Sequence, residues 1–355
     1  MSHSTISIRR RHFLIASGAL LAGGNLFGLG TAQAQAKLGK VVYGQGSIDP
    51  IFTAGYVALK KGYFGDSGLD VTYLDTQSGP RTNQMLAARQ IVFGATAATA
   101  APALTIAGKA AALIFGFDRR MTYANVLVRK ADFDSGKFKS LKDLAGQRIG
   151  ATQPGSVIAL MAIYLMQQAG ISDKVDIRPL GDLSTMLGAL KTGSVAATMA
   201  TASMMEQAVH EGWAVPIFDG TNNAAWNEFV GGDVPGIAAY ALRDTIAKRP
   251  EVVQAFVTGL VKAQDLINTS SAQAVTDLIY DDYLKALAKP SILNTIELYK
   301  KTVWLKDNII TQDAYRRMAR IMGGGRQFSN AQMKTVPYSL CVDMSFVRKA
   351  RGIKP

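Results

Sequence analysis

Apolar runs of strand length alternate with longer amphipathic segments of helix length along most of the chain. Glycine, proline and short polar clusters separate these segments, which is typical of turns between regular elements. The strand-like runs lie at residues 40–44, 69–74, 91–95, 111–117, 123–129, 175–179, 195–200 and 236–243. Helix-length segments fall between most of them, and this alternation predicts an α/β fold with mainly parallel sheets.

The order of these elements predicts two lobes rather than one continuous sheet. The run at 236–243 has the same shape as the run at 123–129. We interpret the two runs as strands that cross between the lobes and form a two-strand hinge. The expected organisation is a first lobe at residues 37–125, a second lobe at 126–235, and a return to the first lobe with C-terminal helices at 236–355.

The first 36 residues have the pattern of an export signal. Three arginines at positions 9–11 precede Phe13 and Leu14, an apolar run continues to residue 29, and small residues suitable for cleavage lie at 32–36. We interpret the pattern as a twin-arginine signal, and a general secretory signal with a chance arginine cluster is the alternative. Both predict a periplasmic protein, and we expect it to be free because no lipid-modified cysteine follows the signal.

Composition excludes several kinds of catalysis. Cys341 is the only cysteine, and His210 is the only histidine beyond the signal. A zinc site built from histidines and a cysteine–histidine pair are therefore not expected. We predict that the chain is not an enzyme, that it needs no cofactor or metal, and that its stability comes from packing rather than from disulfides.

The positive charge is concentrated near the C-terminus. The formal net charge is +13, and residues 300–355 hold twelve lysines and arginines against three aspartates. No nucleic-acid-binding module or interleaved aromatic pattern accompanies these charges, so we do not expect nucleic acid as a partner. We interpret the segment as a solvated basic surface with some attraction to anionic lipid or to a protein partner.

Four loops are candidates for a ligand site. In open α/β sheets, ligands bind outside the carboxyl ends of strands, where loops lead into helices. The loops in question are 45–50, 96–99, 152–156 and 200–204, two from each lobe. We therefore expect a cleft between the lobes that closes around a solute by hinge motion.

Gly155 and Ser156 are the most informative pair among these loops. They precede an apolar helix, and backbone N–H groups at a helix start, together with the helix dipole, bind sulfonates, carboxylates and phosphates. The alternative is that Ser156 only caps its own helix.

The other candidates supply hydroxyls, charge or an apolar wall. Arg119, beside the hinge, is a candidate for a bidentate contact with an anion, although a surface position is the alternative. Phe52 and Tyr123 are candidates for the wall of an apolar solute, although core packing is the commoner role. The polar candidates are Ser47, Asp49, Thr96, Thr99, Thr201 and Ser203.

Several motifs in order resemble one family of binding proteins. They are Gly62-Tyr63-Phe64 with Gly68-Leu69-Asp70-Val71, the segment 85–94, the segment 141–150 with Pro154-Gly155-Ser156, and the segment 189–197. Together they cover about residues 40–270 and resemble the periplasmic solute-binding proteins for sulfonates, nitrate and thiamine precursors. The resemblance implies a two-lobed, type II periplasmic binding fold. It also implies a small organic solute in the cleft and delivery to an ABC permease. We expect the solute to be a small organic anion, the permease to work with a cytoplasmic ATPase, and the protein to be a monomer.

Two departures from the family pattern leave the solute open. The family often has an acidic residue where this chain has Val92 and where it has Ala196. We expect those acids to serve structure, so the fold prediction is unaffected. Binding or synthesis of a thiamine pyrimidine precursor is one alternative function, although synthesis in that family uses cysteines and histidines that are scarce here. A solute sensor for a membrane receptor is another.

Overall fold

The computed structural model describes residues 37–324 and 328–354. The predicted export signal at residues 1–36 lies outside this range. Within the described residues, no helix is both long and apolar enough to cross a membrane.

Ten strands in the described residues form two five-stranded sheets. The strands are β1 Gly39–Gln45, β2 Leu69–Asp75, β3 Phe93–Ala97, β4 Ala111–Gly116, β5 Asn125–Arg129, β6 Arg148–Ala151, β7 Asp176–Pro179, β8 Ala197–Ala200, β9 Ala214–Phe218 and β10 Ile237–Leu242. The first sheet has the order β2-β1-β3-β10-β4, and the second has the order β7-β6-β8-β5-β9. The predicted two-lobed α/β fold is confirmed by this arrangement.

The two sheets share one topology. In each sheet the fourth strand, β10 or β5, runs antiparallel to both of its neighbours, while the strands before it in the order run parallel. These two strands are the ones predicted to form the hinge, and each begins where the chain has just crossed from one sheet to the other. We propose that the lobe boundaries lie at 125/126 and 235/236, as the sequence indicates.

The two crossing segments are hydrogen-bonded to each other. The Val234 amide donates to the Arg119 carbonyl at 3.0 Å, and the Phe117 amide donates to the Ile237 carbonyl at 3.1 Å. A third segment at 303–305 lies on the other side of the first crossing and bonds to Phe117 and Arg119 at 3.0 Å. The sequence did not indicate this third segment, because its pairing partner lies almost two hundred residues away.

The helices connect the strands and continue beyond β10. The helices within the two lobes are α1 Thr53–Lys60, α2 Gly79–Ala87, α3 Ala100–Ile106, α4 Lys130–Asp134, α5 Val157–Gln168, α6 Leu183–Thr192, α7 Ala202–His210 and α8 Asn223–Val230. Those after β10 are α9 Arg243–Lys248, α10 Pro250–Thr269, α11 Ala272–Ile279, α12 Lys289–Leu298, α13 Gln312–Gly324, α14 Asn330–Lys334, α15 Tyr338–Cys341 and α16 Ser345–Ala350.

Helix α10 anchors the core of the first lobe. The Phe256 ring stacks on Phe93 of β3 with centroids 3.9 Å apart, and it also contacts the rings of Phe64 and Tyr43. Further along the chain, α12 packs on α7 and α13 packs on α5, both in the second lobe. The C-terminal helices therefore contact the elements of both sheets.

Candidate functional site

A cleft lies between the two sheets, at the carboxyl ends of their parallel strands. Its free volume is about 100 Å³. The first lobe contributes Gly46, Ser47, Asp49, Phe52, Gln77–Pro80, Asn83, Thr96, Ala97, Thr99 and Ala100, and the second contributes Thr152, Gln153, Gly155–Ile158, Gly181–Leu183 and Thr201. Thr122 and Tyr123 from the first crossing also line it.

Four helices of eight or more residues begin at this cleft. Ser78, Ser156, Asp182 and Thr201 are the N-caps of α2, α5, α6 and α7, and each accepts a hydrogen bond from the amide three residues later. A cap satisfies only one of the four amides that lack a partner within the helix. The remaining first-turn amides and the four helix dipoles therefore contribute positive partial charge to this cleft.

The side of the cleft formed by the first lobe is held in place by buried Gln45. The Gln45 Nε2 donates to the Ser47 carbonyl at 2.8 Å and to the Tyr56 hydroxyl at 2.5 Å, while the Tyr43 hydroxyl donates to its Oε1 at 3.3 Å. The Tyr56 hydroxyl also accepts the Asp49 amide at 3.3 Å. This network fixes the loop after β1, and burial raises the pKa of both tyrosines well above the ordinary value.

Asp49 joins the two lobes at the floor of the cleft. It is 2% exposed, and its Oδ1 accepts the Ile51 amide at 2.9 Å, which caps the short helical turn at 50–52. Its Oδ2 accepts a hydrogen bond from the Ser203 hydroxyl on α7 of the second lobe. Burial raises the pKa of Asp49, although bonds from Ser203, from the Ile51 amide and from Thr201 oppose the shift.

The ionisable side chains that line the cleft are acids and a tyrosine. Among the described residues that line it, none is Lys, Arg or His, and Asp49 and Asp182 are the carboxyl groups. Tyr123 donates its hydroxyl to the Gly236 carbonyl at 2.6 Å, and burial raises its pKa well above the ordinary value. Within the described residues, no group of three or more His, Cys, Asp or Glu side chains is placed to hold a metal ion.

The structure brings nine of the eleven predicted site residues together at this cleft. They are Ser47, Asp49, Phe52, Thr96, Thr99, Tyr123, Gly155, Ser156 and Thr201. Gly155 has φ +81°, a left-handed conformation that explains the glycine at this turn. Whether each of the nine contacts a solute stays a prediction.

Arg119 and Ser203 do not line the cleft. The Arg119 guanidinium donates from Nε and Nη2 to one oxygen of Asp233 on the second crossing, at 3.0 and 2.8 Å. The structure therefore places the Arg119 guanidinium against the hinge carboxylate and away from the cleft, and a direct anion contact by Arg119 stays a prediction. Ser203 is 1% exposed and is connected to the cleft through its bonds to Asp49 and to Thr201, which both line it.

Sequence reasoning missed two of the loops that form the cleft. One follows β2 and carries Gln77 and Ser78, and the other follows β7 and carries Gly181 and Asp182. A signal was present in both, because a Ser or Asp precedes the first residues of a helix, and Pro80 stands in the first turn of α2. Asn83, whose Oδ1 accepts the Tyr240 hydroxyl at 2.6 Å, carried no such local signal.

Comparison with known proteins agrees with this fold. The family model described as NMT1/THI5 like matches residues 49–273, which is more than half of the chain. A structure from Bordetella bronchiseptica RB50 is similar with a TM-score of 0.74 and 21% identity, over 88% of this chain and 97% of that one.

Two further similar structures are of proteins that are named for what they bind. The alkanesulfonate-binding protein SsuA of Xanthomonas axonopodis pv. citri, bound to MOPS, has a TM-score of 0.64 and 15% identity, over 81% of this chain and 93% of that one. The periplasmic nitrate-binding protein NrtA of Synechocystis PCC 6803 has a TM-score of 0.68 and 11% identity, over 88% of each chain. At these identities the likeness shows the fold.

Proposed function

The chain belongs to the NMT1/THI5-like family, and on that premise we propose that it is the solute-binding component of an ABC importer. It captures a small organic anion of sulfonate or carboxylate type in the cleft and delivers it to a permease that works with a cytoplasmic ATPase. The proposed location is the periplasm, and the proposed form is a monomer. Among the described residues that line the cleft, none is His or Cys, and we propose binding without catalysis.

The convergence of four helix N-termini on one cleft carries this proposal. Their amides and dipoles favour negative charge, and each dipole acts like about half a positive charge at its N-terminus. Two of the helices, α2 and α5, present Ser78 and Ser156 from opposite lobes. An anion held between them contacts both lobes at once, so its binding energy favours the closed cleft.

The apolar part of the lining supports an organic rather than an inorganic anion. Phe52, Ala97 and Ala100 on the first lobe face Val157 and Leu183 on the second across the same cleft. Burying a hydrocarbon body against such surface adds about 25 cal/mol for each Å² removed from water. SsuA bound to MOPS and the nitrate-binding protein NrtA show that this fold accommodates anions in other proteins.

A thermal-shift screen of the chain from Lys37 onward tests the proposal. The compounds are alkanesulfonates, taurine, nitrate, aromatic carboxylates and pyrimidines. A ligand at about one hundred times its dissociation constant adds about 2.7 kcal/mol to the free energy of unfolding, which raises the melting temperature by several degrees. We expect a shift with at least one organic anion.

The other outcomes separate the alternatives. A shift with pyrimidines and none with anions would replace the anion by a thiamine precursor as the solute. An anion can raise the melting temperature of the protein although cells that lack the protein still take up that anion. That combination would favour a sensor for a membrane receptor. No shift with any compound would remove the support for solute binding.

A further inference from the structure

A short chain of hydroxyl groups leads from buried Asp49 to the wall of the cleft. Ser203 donates to the Asp49 Oδ2, and the Ser203 Oγ lies 2.8 Å from the Thr201 Oγ1, where either oxygen can be the donor. Thr201 lines the cleft, and its Oγ1 also accepts the Met204 amide at 3.2 Å. The three side chains are 2%, 1% and 7% exposed in the order Asp49, Ser203, Thr201, so water does not compete for these bonds.

The protonation state of Asp49 decides which way these bonds point. An ionised carboxylate only accepts hydrogen bonds, and each hydroxyl has a single proton to donate. When Asp49 is ionised, Ser203 donates to it and Thr201 donates to Ser203, so Thr201 shows the cleft only oxygen lone pairs. When Asp49 carries a proton on Oδ2, it donates to Ser203, Ser203 donates to Thr201, and the Thr201 proton is free to point into the cleft.

An anion in the cleft binds more weakly when Asp49 is ionised than when Asp49 is protonated. It is repelled by an ionised carboxylate nearby and by the lone pairs of Thr201, whereas it accepts a hydrogen bond from Thr201 in the other state. We propose that the organic anion binds together with one proton, which passes from solvent to the Asp49 Oδ2 and turns Thr201 into a hydrogen-bond donor to the anion. This inference rests on the anion-binding function proposed above.

The surroundings of Asp49 favour its neutral form. The titratable groups that interact with it are Tyr56 on α1, Asp118 on the first crossing and Tyr299 after α12. No Lys, Arg or His of the described residues is paired with its carboxyl group.

Asp118 is a second buried acid in this region. It is 0% exposed, and its Oδ1 accepts the amides of Gly236 at 2.6 Å and Ile237 at 2.9 Å. Its Oδ2 is buried without a hydrogen-bond partner. Burial raises the pKa of Asp118 well above the ordinary value, and the nearby Asp49 charge raises it further. Two buried acids without a paired cation make ionisation of either one costly.

The direction of the pH dependence follows from the raised pKa of Asp49. Its neutral form persists above the ordinary carboxyl range, and a bound anion extends that range further. Affinity for an anion is therefore highest below the Asp49 pKa of the free protein. It falls by up to about tenfold for each pH unit above that pKa, because one proton is then taken up with each anion.

Calorimetric titration with butane-1-sulfonate from pH 5 to pH 8 tests the coupling. This probe stays ionised throughout, so any proton taken up goes to the protein. Two buffers with different ionisation enthalpies count the protons at each pH. We expect the affinity of the native sequence to fall at high pH, with close to one proton taken up per anion.

Asp49→Asn is the decisive variant because its carboxamide always donates to Ser203 while its oxygen still accepts the Ile51 amide. We expect this variant to bind with an affinity that is independent of pH and near the low-pH value of the native sequence. Ser203→Ala removes the acceptor of the Thr201 proton at high pH, so Thr201 can donate to the anion at every pH. We expect near-native affinity at pH 5 and a smaller fall of affinity at high pH, caused by the charge of Asp49 alone. Asp70→Asn, at an exposed position of β2, is the matched control and retains the native profile.

Two results would overturn the inference in different ways. If butane-1-sulfonate binds equally well from pH 5 to pH 8 without proton uptake, the coupling is wrong while anion binding stands. If neither butane-1-sulfonate nor any aromatic carboxylate of the thermal-shift screen binds any variant at any pH, the proposed function fails and the coupling fails with it. Thermal melts of each variant establish that a loss of binding does not reflect a loss of folding.

Discussion

The two sides of the cleft differ in how deeply their loop residues are buried. On the first lobe, Gln45, Asp49 and Thr96 are buried, and their side chains are bonded to other parts of that lobe or to Ser203. On the second lobe, Gln153 and Gly155 are exposed. The loop after β1 is therefore an extension of the protein core, whereas the loop after β6 is a surface that a solute covers.

This difference has a consequence for how the site tolerates change. A substitution on the first side disturbs buried hydrogen bonds and packing, so it lowers stability and binding together. A substitution on the second side disturbs few buried groups, so it alters binding with little effect on folding. We therefore expect solute preference to be adjustable mainly through the loops at 152–156 and 181–183.

The largest effect is expected in the core behind the first side. Phe256→Ala removes a ring that stacks on Phe93 at 3.9 Å and on Phe64 at 5.1 Å. We expect the free energy of unfolding to fall by about 3–5 kcal/mol, because the cavity left among these rings cannot collapse fully. Urea unfolding measures the change.

Phe133→Ala is the control for this variant in the second lobe. The Phe133 ring is only half-buried and lies under the Lys139 ammonium group at 3.6 Å. We expect a loss of about 1 kcal/mol, from the cation–ring contact and a small buried area. A loss equal to that of Phe256→Ala would mean that the two lobes do not differ in the way described.

A smaller loss of stability is expected at Gly46, where the loop after β1 meets the end of β3 and the start of α2 on the first side. A Cβ on Gly46 would lie 2.8 Å from the Thr96 Cγ2 and 3.3 Å from the Gly79 amide nitrogen. We expect Gly46→Ala to lower the free energy of unfolding by about 1–3 kcal/mol, as overpacking does. Because the Gly79 amide begins α2 at the cleft, we expect anion affinity to fall as well.

Gly188→Ala provides the matched glycine control in the second lobe. Gly188 lies inside α6, and its added Cβ would meet no atom within 4 Å. We expect this variant to be more stable by about 0.5–1 kcal/mol, because alanine favours a helix interior more than glycine does. Destabilisation by Gly188→Ala would show that the second lobe is packed more tightly than its exposure indicates.

The sequence predicted the fold better than the site because the two depend on different kinds of information. Strand and helix periodicity is local, and it located β1 and β10 within two residues of their observed bounds. The Asp49–Ser203 bond and the Arg119–Asp233 pair join residues more than a hundred positions apart, and no local pattern specifies them. Asp49 was a candidate for the site because it lies in the loop at 45–50, yet its position at the lobe junction depends on the tertiary fold.

The smallest losses of stability are expected at the two serine N-caps on opposite sides of the cleft. Ser78 accepts the Arg81 amide at the start of α2, and Ser156 accepts the Ala159 amide at the start of α5. Ser271, which caps α11 with the same bond to Ala274, does not line the cleft and is the matched control. We expect each Ser→Ala change to lower the free energy of unfolding by about 1 kcal/mol, the usual contribution of a helix cap.

Binding separates the three caps where stability does not. Ser156 is only partly buried, and its hydroxyl lies 2.5 Å from that of Thr152, so the pair can offer one proton to an anion in the cleft. We therefore expect Ser156→Ala to weaken anion binding most, Ser78→Ala to weaken it less, and Ser271→Ala to leave it unchanged. Equal affinities for all three variants would mean that the serine hydroxyls only cap their helices. The backbone amides would then be the groups of the cleft that bind the anion.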